Sequence, residues 1–249
     1  MNFRLSITII IVGLLNIYSC SFFAEEILPD SPKALLEEGI KASKLDQHFR
    51  ALKLFQQVVE DFPDSNERKT AMLLIARSHY KFEEYEEAKF HFQKFIDLYP
   101  THKNLDRAFF FKAMSDYQRI DLALRDQTAT KDARDGFQQI INQFPKSQYL
   151  KQAKQKLNEC NFKLSKNVFE IGKFYYRTGA YHSAISRFTN LLTDHAKQKF
   201  FDEAAFLLAE SHYHEQSFKE ALSLYKEFTK KYPRSRFAPE VKKRLRILR

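Results

Sequence analysis

Apolar positions in this chain fall at helical spacing and recur in one phrase: Ala, three residues, an aromatic, two residues, an apolar residue, four residues, Pro. It reads Ala51-Phe55-Val58-Pro63, Ala88-Phe92-Phe95-Pro100, Ala133-Phe137-Ile140-Pro145 and Ala221-Tyr225-Phe228-Pro233. A fifth copy, Ala184-Phe188-Leu191, has Ala196 at the place of Pro. Steps of four and three put these residues on one stripe of a helix, with polar residues between. The small Ala lets a neighbouring helix come close, the aromatic fills the gap beyond it, and Pro ends the helix.

A second helix precedes each copy. About twelve residues before the Ala stands another small residue, at Gly39, Ala76, Gly172 and Ala209, and three residues before it stand His48, Tyr85, Tyr181 and Phe218, at the turn between paired helices. Paired helices of about 34 residues with these small and aromatic positions form the tetratricopeptide pattern. Successive Ala anchors lie 37, 45, 51 and 37 residues apart, so extra residues enter at Gln118 to Asp132 and after Pro145. Ser65, Ser147 and Ser235 each follow a Pro by two residues and are expected to cap the next helix. The fold predicted is all-α: a tetratricopeptide-repeat superhelix of about five helix pairs over residues 32–249. Phe237 to Arg249, with Val241, Leu245 and Leu248 apolar, forms a capping helix over the last pair.

In such a superhelix the first helix of each pair lines a concave groove. Counting from the small residues, positions one, four and five further on face it: Arg77, Tyr80 and Lys81; Lys173, Tyr176 and Arg177; Glu210, Tyr213 and His214. Tyr offers rigid contact area and Arg or Lys can meet a terminal carboxylate, so the groove suits an extended peptide with aromatic side chains.

Composition narrows the chemistry. Only five Gly occur, too few for glycine-rich phosphate loops or for turn-rich sheets. No nucleophile stands beside a base, and His212 and His214, two apart on a helix, point to different faces, so neither an enzyme nor a metal site is expected. Cys160 reads as a small buried apolar residue. The formal charge of +10 favours anionic partners, but acids interrupt the basic residues except in Lys242-Lys243-Arg244-Leu245-Arg246, so nucleic acid is not an expected partner.

The N-terminus reads as an address. A positive end at Met1 to Arg4 and an apolar run from Leu5 to Ile17 have the form of a signal peptide over residues 1–19. Ile17 and Ser19 before Cys20 resemble a bacterial lipobox, from which only Tyr18 departs. That implies diacylglycerol on the Cys20 sulfur, an acyl chain on its amine, and a lipidated linker over residues 20–31. No other cofactor is expected.

Local phrases carry a family likeness. Phe95-Ile96-Asp97-Leu98-Tyr99-Pro100-Thr101-His102-Lys103-Asn104-Leu105-Asp106, Arg125-Asp126 followed by Ala133-Arg134 and Phe137, and Phe144-Pro145-Lys146-Ser147-Gln148-Tyr149 are similar to joints of the BamD family, lipoproteins of the outer-membrane β-barrel assembly machinery. The resemblance runs over roughly Ser31 to Pro233, with Lys103 and Gln127 where the family has Pro. It implies a lipid-anchored protein of the outer membrane, facing the periplasm, that docks on a POTRA domain of the barrel-forming component. It also implies that the N-terminal units receive the C-terminal segments of unfolded outer-membrane proteins. Gly179-Ala180-Tyr181 through Arg187 is similar to the family's docking segment, which makes Arg187 the docking residue. The alternative is another periplasmic tetratricopeptide adaptor, such as a Tol-Pal-linked envelope coordinator.

Overall fold

The computed structural model describes residues 30–120, 126–194 and 198–248, so the signal segment, Cys20, Arg125 and Ala196 lie outside the described residues. Helices account for all the regular structure among those residues. In order they are α1 (Pro32–Lys44), α2 (His48–Asp61), α3 (Asn66–Lys81), α4 (Tyr85–Leu98), α5 (Leu105–Gln118), α6 (Thr128–Gln143), α7 (Leu150–Arg177), α8 (Tyr181–Asp194), α9 (Phe201–His214), α10 (Phe218–Lys231) and α11 (Ala238–Ile247). They fall into two compact units that divide at Arg68 and Lys69.

The first unit contains the α1–α2 hairpin. Pro32 opens α1, and Ser31 accepts the Ala34 amide at 3.3 Å as its cap. Gly39 is buried against Phe55: a Cβ at Gly39 would stand 2.5 Å from the Phe55 ring. Across the same hairpin Arg50 donates to Glu38 at 2.9 Å.

The second unit is a tetratricopeptide stack in which consecutive helices pack from α4 to α11. The Ala and aromatic anchors of the four later copies of the phrase are in its core. Ala88, Ala133, Ala184 and Ala221 are fully buried, as are Phe137, Phe188 and Tyr225, with Phe92 at 2% exposure. Gly172 on α7 faces Phe188 on α8, and an added Cβ would come within 2.7 Å of that ring. The third pair keeps the small-residue contact with the roles exchanged. Gly136 on α6 abuts Ala113 on α5, where a Cβ would lie 2.7 Å from the Ala113 Cβ.

Proline sets the helix ends. Phe62, Tyr99, Phe144 and Tyr232, each just before a Pro, leave the helical region with φ near −130° and ψ between 52° and 62°, because the proline ring crowds the preceding backbone. The turns inside the pairs use one residue with positive φ: Asp46, Glu83, Gly179 at 79° and Gln216.

One expectation is corrected here. Ser65 does cap α3, accepting the Arg68 amide at 3.2 Å. Ser147 and Ser235 instead stand three residues before α7 and α11. Each accepts the amide two residues on, from Tyr149 and Phe237, and donates its hydroxyl to a carboxylate, Asp106 at 2.6 Å and Asp202 at 2.7 Å. These serines therefore fasten the joint to the start of the preceding first helix. After a short turn at residues 146–149, the extra residues that follow Pro145 are helical. They extend α7 to 28 residues, about 42 Å at 1.5 Å per residue. The N-terminal part of this helix covers α6, with Cys160 fully buried, and the C-terminal part pairs with α8.

Gly172→Val should destabilise the chain by about 1–3 kcal/mol through overpacking against Phe188. Gly179→Asn, in a turn that meets nothing within 4 Å, should shift stability by less than about 1 kcal/mol because Asn tolerates positive φ. Urea unfolding followed by circular dichroism checks both.

Candidate functional site

The first helices of three pairs in the second unit carry the groove positions. Arg77 and Arg177 are exposed and make no ion pair among the described residues. Lys81 is exposed, with its ammonium 5.7 Å from the Phe82 ring. Lys173 is half-buried; its ammonium lies 3.2 Å from Glu203 and 5.1 Å from the centre of the Phe169 ring.

The three tyrosines have a repeated task that spacing alone does not reveal. Tyr80 meets Tyr85 edge-on at 5.5 Å, Tyr176 meets Tyr181 at 5.7 Å, and Tyr213 meets Phe218 at 5.5 Å. Each ring thus braces the hairpin turn against the first residue of the second helix, and only its remaining edge is left for a ligand. Tyr80 also touches Phe111 at 5.3 Å and accepts a hydrogen bond from Gln118. Burial, then the nearby Glu210 charge, raises the Tyr176 hydroxyl pKa.

In the fifth pair the groove reading needs correction at Glu210. Glu210 is 3% exposed and receives Arg244 from α11 in a two-pronged pair, at 2.9 and 2.7 Å. The Tyr225 hydroxyl donates to the same carboxylate, and the Arg244 guanidinium lies 4.2 Å from the centre of the Tyr213 ring. Glu210 and Tyr213 are consequently engaged by the capping helix. Burial, and then the bond to Glu210, drives the Tyr225 hydroxyl pKa up. That same carboxylate raises the pKa of Arg244 through its hydrogen bonds.

A charged centre absent from the sequence reading joins α4, α5 and α6. Lys89 donates to Asp116 at 2.7 Å and to Asp132 at 2.9 Å, while Arg119 bridges Asp116 and Glu86. Burial raises the Asp116 carboxyl against the pull of Lys89. The desolvation of Lys89 is outweighed by its two carboxylates, so its pKa rises. A cavity of about 300 Å³ opens beside this centre, with Lys112 on its wall. Nothing in the local sequence marks these residues as a set, because they come from three helices 27 and 43 positions apart.

Arg187 lies exposed on α8 and makes no ion pair among the described residues. In the same unit a hollow of about 400 Å³ is lined by Leu192, Leu208, His212, Phe228 and Tyr232 from α8, α9 and α10 and the residue after it. Burial lowers the His212 pKa and raises that of Tyr232.

Helical hairpins in which a ring of one helix fills the space over a small residue of the other define a tetratricopeptide protein, and residues 203–235 match the tetratricopeptide repeat model. Residues 29–217 match the YfiO model, described as an outer membrane lipoprotein, and the chain belongs to that family. Curated relatives named outer membrane protein assembly factor BamD include one from Caulobacter vibrioides, 29% identical over 65% of this chain and 53% of that one. Another from Rickettsia prowazekii is 28% identical over 72% and 71%, and one from Haemophilus influenzae is 24% identical over 83% and 82%. This chain therefore spans about half the length of the Caulobacter protein, 53%. Among solved structures it is similar to the TPR2AB-domain complex of yeast Sti1, at 15% identity and TM-score 0.49 over 87% of this chain and 82% of that one. The expected family and the all-α tetratricopeptide class are borne out.

Arg244→Ala should cost about 3 kcal/mol by leaving Glu210 buried without its partner. Adding Glu210→Gln to that variant should recover part of the loss, since the uncompensated charge is then gone. A double-mutant cycle in urea checks the coupling.

Proposed function

We propose that the chain serves outer membrane protein assembly as a non-catalytic adaptor, held to the outer membrane on its periplasmic side by lipid on Cys20. Its family and its curated relatives support the assembly role. Among the described residues no helix is long and apolar enough to cross a membrane. Three acyl chains bury enough methylene groups, at about 0.8 kcal/mol each, to hold the protein firmly.

In this reading the adaptor holds the C-terminal segments of unfolded outer-membrane proteins along Arg77, Tyr80 and Lys81, continuing over Lys173, Tyr176 and Arg177. A terminal carboxylate meets an exposed cation, and an aromatic side chain packs on the open edge of a tyrosine already fixed by its turn. Fixing those rings in advance lowers the ordering cost of binding. Tyr213, half-buried with the Arg244 guanidinium over its ring, extends this path to the fifth pair. Arg187 docks a POTRA domain of the barrel-forming component through a carboxylate there. The match over residues 29–217 is the observation that carries this reading.

Two measurements test it. A labelled peptide ending in a free aromatic carboxylate should bind the full chain, and Arg77→Glu should weaken it about tenfold or more, the worth of a charge-assisted hydrogen bond; equal binding by the amidated peptide would remove the carboxylate from the account. In a pulldown from membranes, Arg187→Glu should lose the barrel-forming component while helicity stays intact. Undiminished recovery would take Arg187 out of the interface, and recovery of Tol-Pal proteins in its place would favour the envelope-coordinator reading.

A further inference from the structure

The chain's charge is concentrated at one end. Residues 230–249 hold nine Lys or Arg against a single acid, Glu240, and so carry eight of the ten net positive charges; the other 229 residues are close to balanced. Two of these cations are used internally, Arg244 by Glu210 and Arg236 by Glu203. Lys230, Lys231, Arg234, Lys242, Lys243 and Arg246 are exposed and make no ion pair among the described residues.

Helix α11 divides this charge by face. Val241 is fully buried, and Leu245, Leu248 and Arg244 turn inward with it onto α9 and α10. On the opposite side Lys242, Lys243, Arg246 and Ile247, spaced one, four and five residues apart, form an exposed arc. Ile247 is 56% exposed among the three cations. An acidic protein or a nucleic acid needs the cations and gains nothing from an isoleucine beside them. A bilayer uses both, because phosphate headgroups take the charge while an apolar side chain enters the acyl boundary. The helix also lies past the stretches that match the YfiO and tetratricopeptide models, so neither match accounts for its cationic face.

We propose that the exposed face of α11 binds an anionic phospholipid surface, giving the chain a second membrane contact at the end opposite its N-terminus in sequence. Each cation near an anionic surface strengthens binding about fivefold, so the three of this arc together contribute about a hundredfold, provided salt does not screen them. The inference is independent of the peptide path and of Arg187.

The test is local to the helix. The full chain carrying Ile247→Cys is labelled with a polarity-sensitive dye; Cys160 does not compete, being fully buried with its thiol pushed up by burial to about 12. The labelled chain is reconstituted in vesicles of phosphatidylcholine alone or mixed with phosphatidylglycerol. The dye is expected to report an apolar setting and protection from an aqueous quencher only in the anionic vesicles. Adding Lys242→Gln, Lys243→Gln and Arg246→Gln, which spare the buried face, should weaken that contact about a hundredfold. Raising ionic strength to about 1 M, where the Debye length is about 3 Å, should also release it. Equal signals in the two vesicle types overturn the proposal, as does protection that arises only when RNA or an acidic protein is added. Circular dichroism of the triple variant establishes that the cap is still folded.

Discussion

Two of the helical hairpins show most plainly the close approach on which the stack depends: an aromatic side chain of the second helix lies where the first helix has no room for a larger residue. At Gly39 and Gly172 the distances that an added Cβ would have, 2.5 and 2.7 Å, show that the ring occupies the space of the missing side chain. Other features recur around such pairs. Pro follows the second helix in four pairs, one residue of positive φ closes the turn in four, and in three the ring opening the second helix braces a tyrosine of the first.

Such a stack buries each apolar stripe only against its neighbours, so its ends and joints need separate fastening. The structure supplies it with charge and hydroxyl groups. Ser147 and Ser235 reach Asp106 and Asp202 across the joints, Lys89 gathers two carboxylates between three helices, and Arg244 closes the last pair onto Glu210. Because Glu210 is almost fully desolvated, the capping helix is held by a partner the charge cannot do without. The same helix turns Lys242, Lys243 and Arg246 outward, which separates its packed face from an exposed cationic one.

For a family concerned with outer membrane protein assembly, this division of surfaces fits a protein that works by holding others. Exposed cations beside rings already locked by packing offer contact without a large ordering cost. Arg187 and the exposed face of α11 stand apart from those positions in sequence, so the proposed anchoring, docking and peptide holding need not compete for one patch.

The repeat, its helix pairs and the fully buried ring in each second helix were legible in the sequence, because offsets of three and four on a helix leave only one face on which those residues can sit. Family joints were legible too, being contiguous. Other features belong to tertiary structure. Extra residues after Pro145 could equally have made a loop, and packing on α6 decided that they lengthen α7 instead. The third pair's small-residue contact, the Lys89 centre and the Glu210–Arg244 pair join positions 23 to 43 apart, and helical spacing says nothing about which side chains of different helices meet. Periodicity assigned Glu210 a face of its helix; only the arrival of α11 settled that this face is covered, since burial is a property of what packs against a residue and not of the residue itself.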